Sequence, residues 1–330
     1  MYIRFTNNSL KMKLYNYKNE KVSEVNQIPF KLEKEIQSLV EKNTESIFDL
    51  SFVQSELTVN KYRIDTLCFD EESNSFVIIE YKKGSSYSVI DQGYTYLQLL
   101  LNNKSEFLLV LSQHFNKVLK MEDVEWSQSK IIFVSPSFNS YQKDSVNFKG
   151  LPFELWEIKR YSNDTIVLNQ HHSSSKESID TLNPNNSNSV ISKVSKEVKV
   201  VTEDDHISKT NDELNELWFE LKEKLLSLND VEIVPKNNYI SLIYNGKTIS
   251  YFIFRKNNVQ IELRRGVQNS DGKKSKNFFH IDDPKGISKE GSWEWKSGGK
   301  GFIYKIPMTK NSDVDYLMFL IKQKYNNNLK

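Results

Sequence analysis

The chain has 330 residues, 38% hydrophobic and 12% aromatic, enough apolar surface for two packed cores. Its formal net charge is +2, so no global field draws it to nucleic acid and any such footprint must be local. A single cysteine, Cys68, excludes a disulfide framework and a cysteine-based zinc site. The first residues lack the apolar core of a secretory signal, and no apolar run approaches the ~18 residues of a membrane span. The expectation is a cytoplasmic protein without a membrane partner.

In chain order, Tyr2–Phe5 and Leu10–Tyr17 alternate around Asn7-Asn8, which predicts a hairpin. After Pro29, Leu32, Ile36, Leu39 and Val40 fall on one face at helical spacing, with Glu33, Glu35 and Glu41 off that stripe. Ile47, Phe48, Leu50 and Phe52 lead into a strand that includes Glu56. Tyr62–Phe69 and Phe76–Tyr81 read as strands joined by a six-residue polar turn, Asp70 to Ser75. Phe76-Val77-Ile78-Ile79 is apolar on both faces and predicts a central strand. Val89–Leu101 is helical, Phe107–Leu111 reads as a further buried strand, and strands follow at Lys130–Ser135, Phe153–Lys159 and Thr165–Leu168.

Residues 1–170 thus form a mixed α/β layer domain. Residues 171–210 contain no aromatic ring other than histidine and are rich in Ser and Asn, which predicts a flexible linker. Residues 211–330 read as a smaller α+β domain. A helix covers Asp212–Leu228, four strands lie between Val231 and Arg265, Asn245-Gly246 marks a tight hairpin, and Gly266–Lys300 reads as a long polar loop. Phe302–Ile306 and a helix over Val314–Tyr325 close the chain.

The chemistry concentrates between Tyr62 and Leu101. Glu-x-Lys alone is uninformative, since it starts at Glu80, Glu157, Glu197, Glu220 and Glu294. Only Glu80 ends an apolar central strand with an acid, Asp65, on the preceding strand. Side chains i and i+2 of a strand share a face, so Glu80 and Lys82 project together while Tyr81 points away. A half-buried Asp65 is costly unless it is paired or holds a cation. Two carboxylates and an ammonium suit a hard cation and phosphodiester hydrolysis. The competing reading is a structural ion pair.

Asp65…Glu80-Tyr81-Lys82, with a helix before and Gln92-x-x-x-Tyr96 after, resembles the PD-(D/E)xK nuclease superfamily, in its RecB-like and NucS-like branch. The series Glu35-Ile-Gln, Ser55-Glu56, Arg63-Ile-Asp65, Glu80-Tyr-Lys82 and Gln92-Gly-Tyr-x-Tyr96 is similar to two-domain bacterial and archaeal proteins with a C-terminal domain of unknown function. The resemblance implies a restriction-endonuclease-like mixed sheet flanked by helices. It also implies Mg²⁺ or Mn²⁺ held by Asp65, Glu80, the Tyr81 carbonyl and Glu35. Lys82 would activate water, and Gln92 and Tyr96 would line the site. Ile64 stands where the name-giving proline would be.

Arg63 is placed to touch phosphate or to pair with Asp65 or Glu56. Between Lys247 and Lys310 fourteen Lys or Arg face six Asp or Glu, with Arg264, Arg265, Lys273 and Lys274 around one loop. Phe278, Phe279, Trp293 and Trp295 are candidates to stack on bases. The five histidines have no ligand spacing, and no glycine-rich phosphate loop is present. The leading expectation is a metal-dependent nuclease acting on DNA. The rivals are a non-catalytic module binding nucleic acid or protein, and a nuclease gated by its C-terminal domain. A homo-oligomer or a protein partner is compatible with both.

Overall fold

The computed structural model describes residues 13–83, 89–147, 151–171, 194, 197–198, 200–268, 272–273, 278–295 and 298–328. A small hairpin, β1 (Leu14–Lys18) and β2 (Lys21–Val25), turns at Asn19-Glu20, both at positive φ. The Asn7-Asn8 turn expected from the sequence lies outside the described residues.

The larger sheet is mixed, with seven strands: β3 (Gln27–Ile28), β4 (Ser51–Val59), β5 (Tyr62–Asp70), β6 (Ser75–Tyr81), β7 (Lys130–Ser135), β8 (Phe153–Tyr161) and β9 (Ile166–His171). The order is β3-β8-β7-β6-β5-β4, with β9 also paired to β8. β4, β5 and β6 run antiparallel in sequence, then β6, β7 and β8 are parallel. Every residue of β6 is buried, because helices cover both faces of the sheet. Phe76 and Ile78 point into one core with α3 (Val89–Asn102) and α4 (Lys104–His114). Val77, Ile79 and Tyr81 point into the other, with Ile36 and Val40 of α1 (Glu33–Glu41), beside α2 (Thr44–Phe48). Cys68 is buried there, and burial pushes its thiol pKa up, so it packs as a small apolar group.

Phe107–Leu111 is the middle of helix α4, not a strand. Phe107 and Leu111 are fully buried while Leu109 between them is 58% exposed, which is helical periodicity. A five-residue apolar run carries no period that separates the two states. The short helix α5 (Ser140–Ser145) is capped by Asn139, which accepts from the Gln142 amide while the Gln142 side chain returns to Asn139.

Part of the stretch expected as linker is packed. Val194 and Val198 join the first core, Val201 is buried, and Glu203–Ile207 forms helix α6. Three valines supply apolar contacts that the Ser/Asn-rich composition conceals, and Thr202 bonds Asp205 at the start of α6.

The second domain is one antiparallel sheet with helices on one face. Its strands are β10 (Val231–Pro235), β11 (Ile240–Tyr244), β12 (Lys247–Arg255), β13 (Asn258–Gln268), β14 (Lys289–Glu294) and β15 (Lys300–Met308), in the order β10-β11-β12-β13-β15-β14. Helices α7 (Asp212–Leu226) and α8 (Val314–Asn328) bury Trp218, Leu221, Leu317 and Ile321 against it. Asn245 and Gly246, at φ 48° and 73°, close the predicted hairpin. The loop expected over Gly266–Lys300 instead contains β14. Gly301 makes that pairing work: a Cβ there would lie 2.2 Å from the Trp293 ring, so only glycine lets the indole lie across β15. Among the described residues no helix is long and apolar enough to cross a membrane.

Candidate metal-dependent active site

The β5–β6 ladder runs from Asp70↔Ser75 to Thr66↔Ile79 and stops. Beyond it β5 stays with β4 while β6 continues alongside β7. At this fork the Asp65 carboxylate replaces the missing ladder bond, its Oδ2 accepting from the Tyr81 amide at 3.1 Å. The open end of a central strand thus brings Asp65 to the residue after Glu80.

Alternation turns Glu80 and Tyr81 to opposite faces. The Tyr81 hydroxyl lies 3.1 Å from Thr66 Oγ1 beneath α1. Glu80, 4% exposed, faces α3. Its Oε1 accepts from Lys82 Nζ at 2.9 Å and from Gln92 Nε2 at 2.6 Å, with the Tyr96 hydroxyl at 3.5 Å. Gln92 and Tyr96 are one helical turn apart, 3.2 Å from each other, and Tyr96 donates to the Arg63 carbonyl at 3.1 Å. Glu80 Oε2 is buried and, among the described residues, has no hydrogen-bond partner.

Electrostatics follow from that packing. Burial, then the neighbouring Asp65, pushes the Glu80 pKa up to about 7, although Lys82 and Gln92 oppose the shift. Burial also raises Asp65, while the Tyr81 amide and Lys82 pull it down. Burial and Glu80 push the Tyr96 hydroxyl to about 12, so it stays a neutral donor. Two desolvated carboxylates with an unsatisfied oxygen fit a divalent cation. Among the described residues no group of three or more His, Cys, Asp or Glu side chains converges as a metal cage. Two carboxylates completed by main-chain oxygen and water suit Mg²⁺, which keeps much of its hydration.

The structure thus brings Asp65, Glu80, Tyr81, Lys82, Gln92 and Tyr96 together. Arg63 stands at the rim, 65% exposed, 3.9 Å from Glu56. Glu35 is not with them: it turns to Arg160 on β8, at 3.2 Å. The acid of α1 that reaches the fork is Glu33. It accepts from the Lys83 amide at 2.8 Å and lies near enough to Asp65 to raise its pKa. A helix turns about 100° per residue, so two positions along moves Glu35 to another face.

Sequence reasoning also missed the support below the site. Gln37 donates to the Asp65 carbonyl (3.0 Å), Ser55 (3.2 Å) and Glu41 (2.9 Å), and Glu41 accepts from Thr66 (2.7 Å). Glu33, Gln37 and Glu41 recur every four residues, a polar stripe on α1 that was visible in the sequence beside the apolar one.

The basic residues expected to meet nucleic acid in the second domain are engaged differently. Arg264 is half-buried, 3.8 Å from Asp49, and Arg265 holds Glu290 at 2.6 Å with its guanidinium over Tyr304. Lys273 is exposed, and Lys274 lies outside the described residues.

No family model matches the sequence. A structural likeness to an EndoMS–dsDNA2 complex covers 34% of this chain and 40% of that one, at 17% identity and a TM-score of 0.20. An uncharacterized protein of Haemophilus influenzae is 38% identical over 316 residues, covering 94% of this chain and 99% of its own. With that identity running through both domains, the chain belongs to the same family as the Haemophilus influenzae protein.

Proposed function

We propose that the chain is a metal-dependent nuclease that hydrolyses phosphodiester bonds, with DNA as its substrate. The observation that carries this reading is the buried Glu80 carboxylate, held through one oxygen by Lys82 and Gln92 while the other has no partner among the described residues, beside the desolvated Asp65. Asp65, Glu80 and the Tyr81 carbonyl would hold Mg²⁺ or Mn²⁺, with Glu33 close by. The ion would supply Lewis-acid stabilisation of charge on the phosphate.

The chain's own residues have separate tasks. Lys82, 15% exposed and tethered to Glu80, orients the attacking water and offsets developing negative charge. Gln92 and Tyr96 fix the Glu80 rotamer from α3. Arg63, exposed at the rim, meets a flanking phosphate.

The test is cleavage of single-stranded, duplex and branched DNA, and of RNA, with Mg²⁺ or Mn²⁺. Lys82→Ala and Asp65→Asn are assayed beside the wild type. The expected result is metal-dependent cleavage lost in both variants; cleavage that survives both would refute the assignment.

A further inference from the structure

Asp65 sits where both neighbouring strands let go of β5. The pairing with β4 steps from Ser55↔Thr66 to Leu57↔Ile64, and the pairing with β6 ends at Thr66↔Ile79. Neither ladder, among the described residues, includes Asp65. The pleat slips at the same point. Ile64 packs into the core beneath α3, whereas Thr66 turns its hydroxyl to Glu41 of α1. Strict alternation would put both on one face. Across the break, Glu56 stands at φ 50°, a left-handed backbone that a glutamate keeps only when its surroundings hold it there. A carboxylate on such a stretch is only as well placed as whatever replaces the missing ladder.

The replacement comes from one side of α1. Lys34, Gln37 and Glu41 are spaced by three and four residues, so they line one flank of the helix. Lys34 pairs with Glu56. Gln37, 5% exposed, gives its side-chain amide to the Asp65 carbonyl at 3.0 Å, and also contacts Ser55 and Glu41. An amide has two N–H donors, and three acceptors around them fix this side chain from three directions. Glu41 in turn takes the Thr66 hydroxyl, which lies 3.1 Å from the Tyr81 hydroxyl. Gln37 therefore touches the Asp65 main chain directly and reaches the residue after Glu80 through two more side chains. The Asp65 carboxylate closes the circuit on the Tyr81 amide.

We propose that Gln37 is a positioning residue of the carboxylate site. It sets the separation of the Asp65 and Glu80 carboxylates, and with it the affinity for the divalent ion. It acts through the Asp65 peptide and touches neither ion nor substrate. This role presupposes the metal site of the proposed function, and groups that orient metal ligands are commonly worth a large share of the affinity.

The test uses the full chain and three substitutions. Gln37→Met keeps the volume and removes the donors. Gln37→Asn keeps the amide but shortens its reach, and serves if the methionine variant does not fold. Gln142→Met, at a buried glutamine that caps α5, is the matched control. Urea denaturation should show both methionine variants less stable than the wild type. Calorimetry with Mn²⁺ should separate them: Gln37→Met binds about ten- to a hundredfold more weakly, Gln37→Asn at least about threefold more weakly, and Gln142→Met within about twofold of the wild type. Hydrogen exchange at the Tyr81 amide, which Asp65 protects, should quicken in the Gln37 variants alone. Cleavage lost at low Mn²⁺ should recover at saturating Mn²⁺, since the ligands themselves are intact. A wild type that binds no Mn²⁺ would refute the metal site and this role with it. A wild type that binds, beside folded Gln37 variants of affinity within about twofold, would overturn the role alone. So would a Tyr81 amide equally protected in all the variants.

Discussion

Replacing Glu80 by glutamine should make the protein more stable as it makes it inactive. Burial and Asp65 raise the Glu80 pKa from 4.5 to about 7. A carboxyl whose pKa is raised on folding stabilises the native state in its protonated form. That contribution is complete below the unfolded value and is lost as pH rises through about 7. Above that pH the wild type carries a strained anion, at a cost of up to roughly 3 kcal/mol. Glu80→Gln keeps the shape and an oxygen for Lys82 but removes the charge. Urea denaturation should find the variant more stable at about pH 8, with the difference vanishing toward about pH 5. Mg²⁺ should raise the wild-type midpoint and leave the variant unmoved, because an ion that binds only the native state stabilises it. A variant less stable than the wild type at about pH 8, or equally sensitive to Mg²⁺, would refute the reasoning.

Glu33→Gln should reduce Mn²⁺ affinity measured by calorimetry, whereas Glu35→Gln should leave it within about twofold, because Glu35 is spent on Arg160. Gly301→Ala should expel the Trp293 ring and cost about 1–3 kcal/mol, read by urea denaturation and a shift in tryptophan emission. Lys324→Met should stabilise the chain at neutral pH by up to about 3 kcal/mol. Burial on α8, then Arg264, lowers the Lys324 pKa to about 8, so its ammonium burdens the native state most below that pH. The advantage of methionine should fade between about pH 8 and 10.5, which a pH series of melting curves would reveal.

The sequence exposed the strand-end chemistry because a sheet repeats every two residues. Glu80 with Lys82 and buried Phe76–Ile79 could be read without coordinates, and so could the Asn245-Gly246 turn. Helical phase was harder. Glu33 and Glu35 are equivalent in composition, and only the docking angle of α1 selects Glu33. Phe107–Leu111 has too few residues to reveal its period, so exposure of Leu109 had to decide it. Arg264 and Arg265 read as surface cations because their acidic and aromatic neighbours, Asp49, Glu290 and Tyr304, are remote in sequence. Charge counted along a chain does not reveal which charges the fold has already neutralised.

The fork where β5 leaves β6 has a consequence for ion selectivity. Asp65 gives Oδ2 to the Tyr81 amide, and Glu80 gives Oε1 to Lys82 and Gln92. Each acid therefore has one oxygen left to offer, so under the proposed function both would coordinate in monodentate fashion. Ca²⁺ favours six to eight oxygens and often takes a carboxylate through both. A site that presents single oxygens and leaves the remaining positions to water selects the smaller, octahedral ions, and Ca²⁺ should bind there only weakly.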